Sequence, residues 1–410
     1  MKVALLHYSA PPVVGGVEAV LARQAQCLAK AGHQVMILAG RGEAWDESVA
    51  VSVVPELDSM HPEVLKIKSA LDEGRVPAEF EPFSEQIHSA LASLTQGWDV
   101  LIAHNVASLH KNLALTAALR RLAAEDAGAP RVILWHHDLA WTTPRYRSEL
   151  HPGWPWDLLR TPWAGVKQVT ISDARRDELA QMLGIPEEAI TVVPNGLDWQ
   201  DFLAIHSPVA EMAEAHRWMN MYPLLLAPVR ITRRKNLELG LRVVAELCKK
   251  EPDSGLIVSG PTGAHNPTNL AYLEELQALR RQLGLEQRVF LLAERYPQGL
   301  AEDWVNDLYR IADALFLPSR EEGFGLPLLE AGLARLPIFC SDLEVLKALT
   351  GGWATYFSPD EAPAEVARLI SGHLEEDAAT QWRRRVRQSY SWETICKEKI
   401  EPLLEEVHGD

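Results

Sequence analysis

Two series of short, nearly uninterrupted apolar runs, separated by helical stretches, constrain this chain more than any other feature. In the first series, Lys2–Tyr8, Gln34–Ala39, DVLIAHN, RVILWHH, QVTIS and ITVVPN each place apolar side chains at successive positions. A strand with one wet face alternates, whereas a strand covered on both faces need not. Val17–Ala31 has helical spacing between the first two runs. Strand–helix alternation of this kind predicts a doubly wound parallel sheet. The pattern breaks near Asn195, where NGLDWQDFLAIHSPVAEMAEAHRWMNMYP contains no strand-like run. A second series follows: PLLLAPV, GLIVSG, RVFLLAE, ALFLPS and LPIFCS, with helices predicted over Leu237–Lys249 and Leu270–Leu283. Trp392–Val407 predicts one closing helix. The 410 residues therefore predict an α/β chain of two Rossmann-like domains joined near residue 200.

Composition narrows the function. A net charge of −16 argues against nucleic-acid binding, which depends on neutralising phosphates with Lys and Arg. An anion could bind only at a local basic site. The four cysteines, Cys27, Cys248, Cys340 and Cys396, have neither metal nor redox spacing. MKVALLHYSAPP lacks the apolar length of a signal peptide, and no run approaches the roughly 18 residues of a membrane span. The expectation is a cytoplasmic protein that at most touches the inner face of a membrane.

Ligands of open α/β sheets bind beyond the carboxyl ends of the strands. Four sets of residues occupy such positions. Gly15 and Gly16 follow the first strand, where glycines let a backbone approach a ligand and a helix N-terminus favours an anion; a plain turn is the alternative. They do not form the G-x-G-x-x-G dinucleotide fingerprint. His136, His137 and Asp138 follow RVILW, and His104 with Asn105 follows DVLIA. An imidazole there could meet a sugar hydroxyl or a phosphate, or could simply be satisfied at a strand end. Arg230 and Lys235, in PVRITRRKN, suit phosphate oxygens; a solvated basic loop is the alternative. SREEGFGLPLLEAGLARLP then puts Glu322, Gly323, Phe324 and Gly325 in a loop after ALFLP, with Pro327 in the first turn of a helix and Glu330 about one turn in. Carboxylates are pure acceptors and suit vicinal diols, and helix amides hold anionic oxygens.

The segment Glu322–Glu330 resembles the Glu, seven residues, Glu hallmark of the retaining glycosyltransferases of family 4, which have the GT-B fold. The likeness extends along the chain through GGVE, VPNGLD, VRITRRKN and YSWE, in the family's order. It implies two Rossmann-like doubly wound domains with the active site in the cleft between them. The expected bounds are an acceptor-side domain, 1–200, completed by the C-terminal helix 390–410, and a nucleotide-sugar-binding domain, 201–389. The resemblance implies that Glu330 binds the donor ribose and Glu322 the transferred sugar, with backbone amides from Phe324 and Gly325. Leu326, Arg230, Lys235 and Gly16 would meet the diphosphate, and His137, rather than His136, would touch the sugar. EAGLARLP departs from the family pattern by placing Arg335 where a helix-ending glycine is usual.

The implied donor is a nucleoside diphosphate sugar and the acceptor a hydroxyl on a sugar, a small polar molecule or a lipid-linked glycan. No D-x-D motif is present, no further cofactor is implied, and metal-independent transfer with retention is expected. A hydrolysing nucleotide-sugar 2-epimerase and a non-catalytic nucleotide-sugar-binding protein are the alternatives. Trp141, Trp154, Trp156 and Trp163 either stack on an acceptor or a lipid headgroup layer, or pack in a loop-rich insertion. Arg383–Arg387 reads as a solvated helix face, with anionic-membrane contact as the less favoured reading. The base, the sugar, the acceptor and the oligomeric state are not legible.

Overall fold

The structure, a computed structural model, describes residues 1–125, 128–262 and 268–409. It divides into two compact units, Met1–Leu197 with Tyr390–Asp410, and Asp198–Ser389. Each is a parallel sheet flanked by helices, so the expected pair of Rossmann-like domains, as in the GT-B fold, is present.

The first unit holds β1 (Lys2–His7), β2 (Gln34–Ala39), β3 (Val49–Val53), β4 (Val100–His104), β5 (Arg131–His136), β6 (Lys167–Thr170) and β7 (Ile190–Val192), in the order β3-β2-β1-β4-β5-β6-β7. Successive residues of a strand point to opposite faces. Leu6, Leu101 and Leu134 accordingly join Phe80, Ile87, Leu91 and Leu115 in one core layer. Leu5, Ile102 and Ile133 join Leu21, Leu28, Ile395, Ile400 and Leu404 in the other. That double coverage is why these strands read as continuous apolar runs. The edge strand β3 pairs only with β2 and is largely uncovered, so VAVSV carries a weaker signal and was not predicted.

The closing segment belongs to this unit. It is helical but not uniform: Trp392–Ile395 is α-helical, Cys396–Ile400 is a π-helical stretch, and Glu401–Gly409 is α-helical. Ser391 caps it through Oγ, which accepts from Thr394 N at 3.1 Å. Leu197 N donates to Tyr390 O at 2.7 Å. A side chain at Gly196 would meet the Trp392 ring at 2.6 Å, so glycine is required for the close approach. Cys396 contacts Cys27 of the helix Gly16–Lys30 through a thiol hydrogen bond, although 369 positions separate them; both are free.

The second unit holds β8 (Leu224–Ala227), β9 (Gly255–Val258), β10 (Val289–Leu291), β11 (Ala314–Leu317), β12 (Ile338–Ser341) and β13 (Thr355–Phe357), in the order β10-β9-β8-β11-β12-β13. Both sheets reverse direction of strand order once, at β1/β4 and at β8/β11. Ligands of open α/β sheets bind beyond the carboxyl ends of the strands at such switch points.

The arginine run is only in part the expected solvated helix face. Arg387 is almost fully buried on the helix Ala378–Ser389. Its guanidinium pairs with Asp313 at 2.7 Å and donates to the carbonyls of Trp218, Met219 and Met221. Arg384 pairs with Glu251 at 2.8 Å and lies over the Tyr222 ring, while Arg383 donates to Arg310 O. Arg383, Arg384 and Arg387 clamp the helix to its own unit, and Arg385 is exposed. No helix among the described residues is long and apolar enough to cross a membrane.

Candidate functional site

In the second unit the loops after β8 and β11 lie side by side, tied by Arg320 N donating to Arg234 O at 2.8 Å. This brings Lys235 to Glu322. Lys235 Nζ is 2.5 Å from Glu322 Oε1, and the buried Ser319 Oγ donates to the same oxygen at 2.7 Å. Both bonds to the Glu322 carboxylate fall on Oε1, and Oε2 has no hydrogen-bond or ion-pair partner among the described residues. Arg230, at the start of the loop, is exposed and has no hydrogen-bond or ion-pair partner among the described residues. Its backbone is held from below: a Cβ at Gly260 would lie 2.3 Å from Val229 O and 2.6 Å from Arg230 N. Of the neighbouring cations, Arg233 is taken by Glu275 at 2.6 Å and Arg320 by Asp360. The basic run is therefore sorted into structural pairs and, among the described residues, two exposed guanidiniums without a side-chain partner, Arg230 and Arg234.

The helix Leu326–Leu333 starts as expected, with Pro327 in its first turn and no side chain capping its amides. Gly325 precedes it at φ 97°, a left-handed conformation open to glycine. Gly323, Phe324 and Leu326 are exposed beside that terminus. Glu330 is exposed one turn in and accepts from the hydroxyl of Tyr309. The doubtful cap at Arg335 resolves as a Schellman motif. Leu336 N donates to Ala331 O at 2.9 Å and Arg335 N to Gly332 O at 3.2 Å, with Arg335 itself at φ 57°.

The other expected residues belong to the first unit. Gly15 precedes the helix Gly16–Lys30 in extended conformation, and a Cβ there would meet the Glu18 carboxylate at 2.1 Å. Gly16 opens onto free space. Glu18 accepts from Ser9 Oγ at 2.5 Å and lies 3.9 Å from His7 Nε2. His7 Nδ1 donates to His104 O at 2.9 Å, and His104 Nδ1 meets His137 Nε2 at 3.0 Å. Asn105, at φ 58°, turns its Oδ1 onto the amides of His137 and Asp138. His137 is thus the end of a chain of imidazoles at the β1/β4/β5 strand ends. His136 is separate: its Nε2 meets Gln168 Oε1 at 2.8 Å. Since Gln168 Nε2 donates to Val166 O, that Oε1 is an acceptor and His136 Nε2 carries the proton. Burial pushes His136 down to about 4 and His137 to about 3, with His7 and His136 adding to the shift at His137. His7 and His104 are also lowered, chiefly by burial. Neutral imidazoles suit hydroxyl groups better than phosphates.

His7, Ser9, Glu18, Ser319 and Tyr309 were not singled out by the sequence. Glu18 is the last letter of GGVE and was within reach; the others act through contacts across strands or helices.

The tryptophans pack rather than display. Trp156 and Trp163 are buried; Trp163 Nε1 donates to Leu158 O and Trp141 Nε1 to Trp156 O. Trp154 alone is substantially exposed, its Nε1 bonded to Glu81. The one cluster of three acid or histidine ligands among the described residues is Asp72, His110 and Glu149. Lys68 Nζ lies 2.6 Å from Asp72 and 2.8 Å from Glu149, supplying their positive charge itself. Lys68 and His110 hold the Glu149 carboxyl down at about 2.

Comparison with known proteins identifies the chain's relatives. The profile described as Glycosyltransferase Family 4 matches residues 14–201, and that described as Glycosyl transferases group 1 matches residues 209–389. The mannosylglucosylglycerate synthase of Thermotoga maritima is 28% identical over 381 residues, covering 85% of this chain and 82% of its own. The MMP alpha-(1->4)-mannosyltransferase of Mycolicibacterium hassiacum is 24% identical over 98% of this chain and 97% of its own. The glycogen synthase of Mycobacterium tuberculosis is 24% identical over 100% of this chain and 96% of its own.

Proposed function

The chain belongs to the glycosyltransferases of family 4, and from that premise we propose that it moves a hexosyl unit from a nucleoside diphosphate sugar to a hydroxyl acceptor, with retention of configuration and without a metal. Glycosyl transfer follows from the family and the relatives. The observation that carries the finer reading is the Lys235–Glu322–Ser319 cluster at the β8/β11 switch point, beside an uncapped helix N-terminus.

The hard step is departure of the diphosphate while positive charge grows on the sugar. Arg230, Lys235 and the amides opening Leu326–Leu333 supply positive potential where that negative charge develops. Leu326 and the backbone of Gly323, Phe324 and Gly325 line the approach. Glu322 is already bound by an ammonium and a hydroxyl on one oxygen. A carboxylate held in that way is a poor nucleophile and a good acceptor for sugar hydroxyls, so it orients the transferred sugar. Attack from the face the diphosphate leaves, with a phosphate oxygen taking the acceptor proton, then needs no carboxylate nucleophile. Glu330 reads the ribose. Gly15, Gly16 and His137 complete the assignment, the last as a neutral partner for a sugar hydroxyl.

A panel of UDP-, GDP- and ADP-sugars tests the reading. One donor should release nucleoside diphosphate slowly, faster with an acceptor hydroxyl, unchanged by chelator, and give a product with the donor's anomeric configuration. Inversion or chelator sensitivity overturns the finer statements. Epimerised sugar without transfer, or binding without release, overturns the transfer itself.

A further inference from the structure

We propose that Tyr309 is a positioning residue for Glu330, fixing how its carboxylate is presented to the donor ribose; the inference rests on Glu330 being the ribose reader assigned above. Glu330 is exposed on a short helix, and a glutamate in that setting samples several rotamers, a freedom that binding would have to remove. Tyr309 comes from a different element, the helix Glu302–Ile311, and its ring is 3% exposed within the core of the second unit. Its hydroxyl donates to Glu330 Oε2, and among the described residues that carboxylate is its only partner. A buried anchor thus reaches outward to hold a surface side chain.

The chemistry of the bond sets what remains available. A phenol has one proton to give, so Oε2 keeps one lone pair and Oε1 keeps both. Two O–H donors on adjacent ribose carbons can then still be accepted, one by each oxygen, with the carboxylate plane already set. Burial, reinforced by the Glu330 contact, raises the phenol far above its ordinary range, so Tyr309 stays a donor throughout the working pH range. Glu322 is held in the same manner, one oxygen engaged by Ser319 and Lys235 and the other open. The two carboxylates of the segment share one device.

Tyr309→Phe keeps the ring and removes only the hydroxyl. The full chain, Tyr309→Phe, Glu330→Ala and the double variant are titrated calorimetrically with UDP, GDP and ADP, and then with the 2′-deoxy and 3′-deoxy forms of whichever binds. Tyr309→Phe should weaken the ribonucleotide about threefold to tenfold, the worth of one ordinary intramolecular hydrogen bond, and shrink the ribo-over-deoxy preference. Donor KM should rise likewise with kcat at saturation unchanged, and the melting temperature should hold. In the Glu330→Ala background the preference should be gone and Tyr309→Phe should do nothing more. An undiminished preference in Tyr309→Phe overturns the positioning role while leaving Glu330 as the reader. A preference that survives Glu330→Ala, or binding of none of the three nucleotides, overturns the assignment of Glu330 and this role with it.

Discussion

Lys235 Nζ lies 2.5 Å from Glu322 Oε1, with both side chains less than a tenth exposed. The two residues are 87 positions apart and were expected to serve different parts of a donor, the phosphate and the sugar. Their pairing makes each a structural partner of the other. Removing one member of a buried pair strands the other's charge, at a cost of about 3–5 kcal/mol.

Glu322→Ala is consequently a poor test of chemistry by itself, because it also strands Lys235. Both Glu322→Gln and Lys235→Met should lower activity by about 10²–10³-fold, the scale of losing a preorganised electrostatic contact. Each should also lower the unfolding midpoint in denaturant melts. The double variant Lys235→Met/Glu322→Gln should regain most of the stability and none of the activity. Recovery of activity in the double variant would remove the pair from the site.

Arg387 tests the reading of the basic run. Its pairing with Asp313 and with three backbone carbonyls is buried. Arg387→Ala should destabilise the second unit by about 3–5 kcal/mol. Binding to anionic vesicles, measured by sedimentation, should be no different between this variant and the parent. A variant with parental stability and reduced vesicle binding would restore the membrane reading.

The buried histidines give the first unit a pH dependence. His136 and His137 are neutral in the fold, pushed down to about 4 and about 3, yet in the unfolded chain they take up protons near pH 6.5. Between those values the unfolded state binds more protons. Stability is therefore complete above about pH 6.5 and declines as pH falls toward the folded values, by up to about 1.4 kcal/mol per pH unit for each group. Urea unfolding followed from pH 8 to pH 4 should show the decline. The ring resonances of both histidines should stay at their neutral positions between pH 8 and pH 5; a titration there contradicts the burial.

Much of this was legible, and for definable reasons. Leu5 and Leu6 are both buried because β1 is covered on two faces, and a doubly covered strand announces itself in any window of six residues. The segment Glu322–Glu330 carries its loop, its helix start and both its acids within one short stretch. What was not legible depends on distance along the chain. Arg387 looks like one charge among several until Asp313 and the carbonyls near Trp218 are brought to it. Tyr309 is one aromatic on a helix until Glu330 lies over its hydroxyl. The tryptophans between 141 and 163 could be read as a platform because side-chain type does not say which face a loop turns inward. The π-helical stretch Cys396–Ile400 has no compositional mark at all.

Arg335 offers a stability gain. It occupies the left-handed position of a Schellman motif at φ 57°, where a side chain costs about 1–2 kcal/mol relative to glycine. Part of that is offset by the greater freedom glycine has when unfolded. Arg335→Gly should raise stability by about 0.5–1 kcal/mol, or about 1–4 °C in melting temperature for a unit of this size. A lower melting temperature would mean the arginine side chain makes up more than its backbone loses.

The first unit is built from two separated lengths of chain, Met1–Leu197 and Tyr390–Asp410, and this has a consequence during synthesis. Ile395, Ile400 and Leu404 belong to one of its two apolar layers, so that layer stays open on the ribosome until these residues emerge. At about 5–20 residues per second, translating Asp198–Ser389 takes on the order of ten to forty seconds. Throughout that interval the nascent sheet presents Leu5, Ile102 and Ile133 beneath an unfilled groove, a natural substrate for chaperones that hold unfinished chains.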